Sequence, residues 1–347
     1  MSAGPDPRTT TLTVGGDLVG QTLAASLRRA KPELSWSLAR RLIETRHVRI
    51  NGELWLDPAR RLKAGEVVEV LSRPERLPKA FAEDLAVRHL DDHVVVVEKP
   101  AGINTVRHPS ELNWDVVRRG LSPTLEDRLQ KTIAARLRVS SQSLPRLRKV
   151  HRLDKLTSGL LVFARSAMAE QVLGRQFRAH TVDRRYLAIV PGRPKPQAIR
   201  TWLVRDRGDG RRGSSLVEGH GKLAVTHIEK VEPVGEYSVL ICRLETGRTH
   251  QIRIHLAELG HPVCGDPVYH IRRPQSPSPL VGEGKGRGEA LTPHPNPPPQ
   301  GGRRIEAPRL ALHAIELGFV HPATRERMHW TMPLPEDLRQ FLERLRH

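Results

Sequence analysis

Between residues 90 and 270 the apolar side chains fall into short runs, and this constrains the fold more than any other feature of the chain. "VVVV" (Val94–Val97) and "GLLVFA" (Gly159–Ala164) are the right length for fully buried strands, and "RRYLAIVPG" reads as another. "YSVLICRLETG" alternates apolar and polar residues and ends in a turn at Thr246-Gly247. Helical spacing is limited to three places: Leu125–Val139, "SAMAEQVLGRQFRAHTV" with Ser166 as cap, and "THQIRIHLAELG" with Thr249 as cap and Gly260 as stop. "APRLALHAIELGFVHPATRERMHWTMPLP" adds two strands around a turn near Pro322. Strands outnumber helices, so the expected class is α+β, with a largely antiparallel mixed sheet flanked by helices and loops.

A smaller unit precedes this one. "LVGQTLAASLRRA" and "SWSLARRLIETR" carry apolar residues at helical spacing, with Leu23, Leu27, Leu38, Leu42 and Ile43 expected inside and Ser35 as a cap. "HVRINGELWLD" reads as two strands joined by an Asn51-Gly52 turn, and "RLKAGEVVEVL" as a Gly turn and a closing strand. The expected organisation is a first domain at 13–73, a linker at 74–84, and a second domain at 85–345. Residues 273–304 are Pro- and Gly-rich with almost no apolar side chains, which predicts a disordered insertion within the second domain.

The net charge of +19 and pI near 10.9 point to a polyanionic partner, nucleic acid before membrane. No apolar run reaches the roughly 18 residues of a membrane span, and "MSAGPDPRTT" is too polar for a signal peptide. Two cysteines, Cys242 and Cys264, are too few for a disulfide framework or zinc cluster, so a cytoplasmic protein is expected. Aromatic residues are only 4% of the chain, so charge and shape, more than base stacking, should carry nucleic-acid affinity.

From Arg128 to Lys155 there are nine Lys or Arg and one acid, Asp154, set just before "GLLVFA". A lone carboxylate there suits a buried ion pair or a catalytic group aimed at a polyanion. The surrounding "HRLDKLTSGLL" matches every fixed position of HRLDxxTSGLL, and the segment resembles the signature of the RluA-type pseudouridine synthases. "VVEKPAGIN", "RRYLAIVPG", "ETGRTHQIRIHLAELGHPVCGDPVYH" and "LALHAIELGFVHPATRE" follow that family's order, whereas "INTVRHPSELNWDVV" lacks its usual Val-Val-His run. "LSWSLARRLIETRHVRINGE" and "LKAGEVVEV" resemble the αL RNA-binding domain first known from ribosomal protein S-four.

The resemblance implies an isomerase that converts uridine to pseudouridine in structured RNA, ribosomal RNA before transfer RNA, with no cofactor and no metal. It places Asp154 at the sugar, Arg248 as the arginine that keeps that carboxylate ionised and oriented, and Tyr186 as the base for the carbon 5 proton. It further implies RNA contacts by His151 and Arg152, where the latter fills the gap left by the extruded base, and by Arg40, Arg41, Arg46 and Arg49. Arg253 is a candidate phosphate anchor. A plain monomer without an obligate protein partner is expected. The rival readings are an inactive RNA-binding or assembly factor of the same fold, a transfer-RNA-specific synthase, and a DNA-binding protein. His250, His255, His261, Asp266 and His270 lack the helical spacing of a metal site, and the turn from Lys99 to Gly102 fails the phosphate-loop pattern.

Overall fold

The computed structural model describes residues 9–75, 85–114, 116–206, 212–215, 217–269 and 305–346. The expected linker from residue 76 onward and the expected insertion at 273–304 lie outside the described residues.

The first unit contains β1 (Thr10–Thr13), α1 (Leu23–Ala30), α2 (Trp36–Glu44), β2 (Val48–Ile50), β3 (Glu53–Leu54) and β4 (Val67–Val70). Its sheet runs β1-β4-β2-β3, with every neighbour antiparallel. Thr22 caps α1 and Ser35 caps α2, each hydroxyl accepting from a backbone N–H three residues on. The β2–β3 turn needs positive φ at two consecutive residues, and Asn51 (52°) and Gly52 (77°) supply it. Leu23, Leu27, Ile43, Val48, Ile50 and Val68 form the core. Leu38 does not join them. It is 43% exposed because α2 turns Ala39 and Ile43, one helical turn apart, toward α1.

The second unit opens with the hairpin β5 (Val87–Leu90) and β6 (Val94–Lys99), then α3 (Val116–Leu121) and α4 (Leu125–Leu137). Next come β7 (Arg148–Lys149), β8 (Ser158–Ala164), α5 (Ala167–Arg178) and β9 (Asp183–Pro191). A meander follows: β10 (Gln197–Val204), β11 (Gly213–Ser215), β12 (Lys222–Val234) and β13 (Tyr237–Leu244). The chain ends with α6 (Gln251–Glu258), β14 (Leu312–Val320), β15 (Arg327–Thr331) and α7 (Glu336–Arg346). Among the described residues these strands form one sheet in the order β11-β10-β12-β13-β9-β14-β8-β6-β5, with β15 beside β14 and β7 beside β8. All pairings are antiparallel except β14 with β8, which gives the largely antiparallel mixed sheet expected.

Burial on both faces explains why β6 and β8 read as unbroken apolar runs. Val95, Val97, Leu161 and Phe163 pack in one cluster with residues of α4, α6 and α7. Val94, Val96, Leu160 and Val162 face the other way, toward Ala169 and Leu173 of α5.

Strand β14 slots between β8 and β9, and this brings the loop before β8 alongside β9. Gly159 makes that slot possible. Its φ is 122°, and a Cβ there would lie 2.3 Å from the Ala314 carbonyl oxygen. The glycine of "TSGLL" is therefore a packing requirement between β8 and β14.

Candidate active site

Asp154 sits in the loop between β7 and β8, and buried polar groups fix that loop from both sides. Lys99, 1% exposed at the end of β6, donates to the carbonyls of Lys155 (3.0 Å), Thr157 (2.7 Å) and Pro100 (3.0 Å). Thr105 donates its hydroxyl to the Leu153 carbonyl at 2.8 Å and accepts from the Leu153 N–H at 3.2 Å. Burial pushes the Lys99 pKa well down, with Asp154 opposing the shift. The turn from Lys99 to Gly102 is thus the brace behind the carboxylate.

The Asp154 side chain is 17% exposed at the floor of a cavity of about 400 Å³. Arg253 Nη1 lies 3.6 Å and His250 Nε2 3.9 Å from Asp154 Oδ2. Burial alone would raise the Asp154 pKa, but His250, Arg253, Arg152 and Lys99 outweigh it and hold the carboxyl below its ordinary value of 3.8. At neutral pH the group is a carboxylate.

Arg253 is itself held by Asp266, through Nε to Oδ2 at 2.7 Å and Nη2 to Oδ1 at 2.9 Å. Burial disfavours the guanidinium charge, yet Asp266 and then Asp154 raise its pKa above the ordinary arginine value. This bidentate fork leaves Nη1 directed at Asp154, a geometry that a lysine lacks. His250 is set by its own backbone, at φ 60°, and by a 2.9 Å hydrogen bond between Nδ1 and the Tyr269 hydroxyl.

Two arginines therefore exchange the places expected of them. Arg248 does not meet Asp154: it is exposed in the loop before α6, and its Nε donates to the Leu223 carbonyl at 2.9 Å. Arg253 faces inward from α6 and is 1% exposed, so it is no surface phosphate anchor. The helix start also differs. His250, in the left-handed region and without a side-chain cap bond, occupies the N-cap instead of Thr249. The Gln251 carboxamide oxygen takes up the Arg248 N–H (3.0 Å) and the Thr246 hydroxyl (2.7 Å) at this end.

Other expected residues fare unevenly. His151 lines the cavity, but its Nε2 accepts from the Val162 N–H at 3.1 Å and its ring stacks on Phe177 at 4.6 Å. Burial, assisted by Arg184, pushes its pKa down to about 3, so it offers RNA no charge. Arg152 is exposed on the cavity wall. Tyr186, on β9 between Cys242 and Ala314, reaches the same cavity. Burial raises its pKa, with Arg184 opposing and Asp154 adding to the rise, so the phenol is neutral at rest. In the first unit Arg40 and Arg41 are exposed on α2. Arg49 instead pairs with Glu75 at 2.8 Å, and Arg46 is half-buried at φ 72°.

Residues 93–258 match the family model described as RNA pseudouridylate synthase, and residues 21–68 match that of the S4 domain. "Ribosomal large subunit pseudouridine synthase D" of Zymomonas mobilis is 33% identical over 96% of either chain. The protein of the same name from Neisseria meningitidis serogroup A is 35% identical, over 96% of this chain and 81% of its own. The chain belongs to the RNA pseudouridylate synthase family. A solved structure, human RNA pseudouridylate synthase domain containing 4, has the same fold: TM-score 0.53 and 21% identity over 75% of this chain and 93% of that one. The enzyme is an RNA pseudouridine synthase with an S4 domain ahead of its catalytic unit, as the HRLD signature and the "LSWSLARRLIETR" helix implied.

The synthase gathers one group of potential metal ligands among its described residues, and it lies apart from Asp154: His89, Asp91 and His321. Hydrogen bonding argues against a metal there. His321 Nδ1 accepts from the Thr324 backbone N–H at 3.0 Å, so Nε2 carries the proton and donates it to Asp91 Oδ2 at 3.0 Å. A nitrogen in that tautomer has no lone pair for a cation. The trio ties the β5–β6 turn to the segment after β14.

Burial would raise the Asp266 pKa, but Arg253 and the N–H groups of Tyr269 and Val268 bring it below 3.8. A depressed folded pKa contributes stability above the unfolded value, near 4, and loses it as pH falls through the lower folded value. Asp266→Asn should therefore cost about 3–5 kcal/mol at neutral pH, because it strands a buried guanidinium. Thermal melting at pH 7 and pH 3 checks this, with a smaller difference expected at pH 3.

Proposed function

We propose that this synthase isomerises uridine within structured ribosomal RNA, with Asp154 acting at the sugar of a uridine extruded into the cavity. The observation that carries the proposal is the ionised Asp154 carboxylate facing Arg253 and His250 on a cavity floor that Tyr186 also lines. Isomerisation breaks the bond from N1 to the ribose, turns the base, and rejoins it through carbon 5. The carbon 5 proton is lost and N1 gains one, so neither redox chemistry nor net hydrolysis is involved. Asp154 either attacks the anomeric carbon or takes a ribose proton as the base departs. Arg253 keeps it ionised without hydrogen-bonding it so tightly that its nucleophilicity is lost. The Tyr186 ring packs against the uracil, and its neutral hydroxyl is available to hydrogen-bond the base. Arg152, on the cavity wall, takes the place of the extruded base.

Ribosomal RNA as the substrate is supported by the near full-length relatives named for the large ribosomal subunit and by the S4 domain. We place the protein in the cytoplasm as a monomer, and no helix among its described residues is long and apolar enough to cross a membrane. Pseudouridine mapping in RNA from cells with and without the gene tests the substrate class. Loss of modification at a large-subunit uridine supports the reading, and loss confined to transfer RNA contradicts it.

Arg40 and Arg41 are the S4-domain arginines best placed for phosphate. Arg40→Gln with Arg41→Gln should weaken RNA binding and reduce the slope of log affinity against log salt by about 2. Filter binding across a salt series, beside single-turnover rates at saturating enzyme, separates this loss from any change in chemistry.

A further inference from the structure

Arg184 is the buried cavity-lining cation that the reaction so far leaves without work, whereas Arg178 and Arg248 are exposed. It sits on β9 two residues before Tyr186 and is 6% exposed. Its Nη2 donates to the Glu245 carbonyl at 2.7 Å, with the Leu244 carbonyl at 3.5 Å, and its guanidinium lies 5.4 Å over the Phe177 ring. Nε is buried with no partner, and no carboxylate pairs with this arginine among the described residues. Burial pushes its pKa down, with only Tyr186 opposing. Compare Arg253, more deeply enclosed, and Arg60, only partly so, which each meet a carboxylate in a two-pronged pair.

The charge balance of the cavity makes that omission meaningful. Its walls carry Arg152, Arg178, Arg184, Arg248 and Arg253 against a single acid, Asp154. Asp154 already faces Arg253, which is matched in turn by Asp266, so Arg184 remains uncompensated. Uracil and ribose are neutral and give a desolvated guanidinium nothing to pair with. A nucleotide carries one more group, its phosphate. The approach is also kept clear, since position 247 is glycine and a Cβ there would stand 2.8 Å from Arg184 Nη1.

We propose that Arg184 forms an anion subsite beside the uridine pocket and takes the phosphodiester flanking the extruded uridine. The phosphate supplies the missing counter-charge at Nη1 across Gly247, while the two carbonyls hold Nη2 from behind. Phosphate capture sets where the ribose lies relative to Asp154. The exposed arginines at the rim attract the RNA at longer range. This rests on the cavity being a uridine site, as proposed above.

The test uses the full-length protein with uridine, uridine 5′-monophosphate and uridine 3′-monophosphate, titrated by calorimetry or NMR. One monophosphate should bind about 10–100-fold more tightly than uridine, the range of a charge-assisted hydrogen bond. Arg184→Gln should erase that gain and leave uridine affinity within about twofold, Arg184→Lys should keep part of it, and Arg248→Gln should keep it all. Should Arg184→Gln fail to fold, Gly247→Ala on the exposed loop should itself lower the phosphate preference by crowding Nη1. Equal affinities in the unaltered protein, including no measurable binding of either ligand, overturn the subsite. Retention of the preference in Arg184→Gln, or in Gly247→Ala where that variant stands in, overturns it too. Pseudouridine formation without any phosphate preference would remove the subsite alone, whereas phosphate preference without pseudouridine formation would remove the functional reading.

Discussion

Asp154→Asn should lower pseudouridine formation by on the order of 10⁴-fold while RNA affinity changes by less than about threefold. Asparagine keeps the shape of the side chain and loses its nucleophilicity and basicity. The loop itself should not move, because Lys99 and Thr105 hold its backbone through residues 153, 155 and 157 and do not touch the carboxylate. Arg253 would still be paired with Asp266, and the Lys99 ammonium would keep its three carbonyl acceptors although it loses the opposing charge of Asp154. Melting should accordingly stay near that of the unaltered protein, in contrast with Asp266→Asn. Single-turnover rates, filter binding and a melting curve on one preparation would show the three effects separately. A variant that bound RNA normally and turned over at even a tenth of the original rate would remove Asp154 from the chemistry.

Arg253→Gln and Arg248→Gln should differ sharply, although the two arginines stand five residues apart in one motif. Arg253→Gln takes away the fixed cation 3.6 Å from Asp154 and should slow the chemical step by about 10²–10³-fold. It should also raise the Asp154 pKa, because an opposing charge is lost while burial remains. The acid limb of the rate profile, expected below the ordinary carboxylate value of 3.8 in the unaltered enzyme because the Asp154 pKa is lowered there, should then move to higher pH. Arg248→Gln should change the chemical step by less than about threefold, with any effect appearing in RNA affinity, since its side chain is exposed and bonded to a carbonyl. Arg253→Lys should fall between, because it restores charge without the fork. Equal losses from Arg253→Gln and Arg248→Gln would contradict the geometry of the pair.

The course of the second unit was legible because β6 and β8 are buried on both faces and leave unbroken apolar runs. Strands β10 and β12 were harder to see: Gln197–Val204 and Lys222–Val234 are partly exposed, so charged residues interrupt their alternation. Pairing across a sheet also supplies strand character that a local window lacks, as with the polar "TTLT" of β1 against β4. At the site, Asp154 and Tyr186 are fixed by motif, and both line the cavity. The arginine was misassigned because "GRTHQIR" offers two candidates, and sequence spacing does not say which one faces inward. That depends on where α6 begins, and the left-handed His250 starts the helix later than a Thr249 cap would. Asp266 and His250 were visible as ionisable residues, weighed as metal ligands. Their actual neighbours, Arg253 and Asp154, are contacts across separate segments that no local pattern reports.

The most direct test of the central claim is to incubate the purified protein with an unmodified large-subunit ribosomal RNA transcript, in the presence of a chelator. Pseudouridine is then mapped at nucleotide resolution. The account predicts conversion of one or a few defined uridines, abolished by Asp154→Asn, severely slowed by Arg253→Gln and retained by Arg248→Gln. RNA that binds with no uridine converted, or conversion that survives Asp154→Asn, would contradict it.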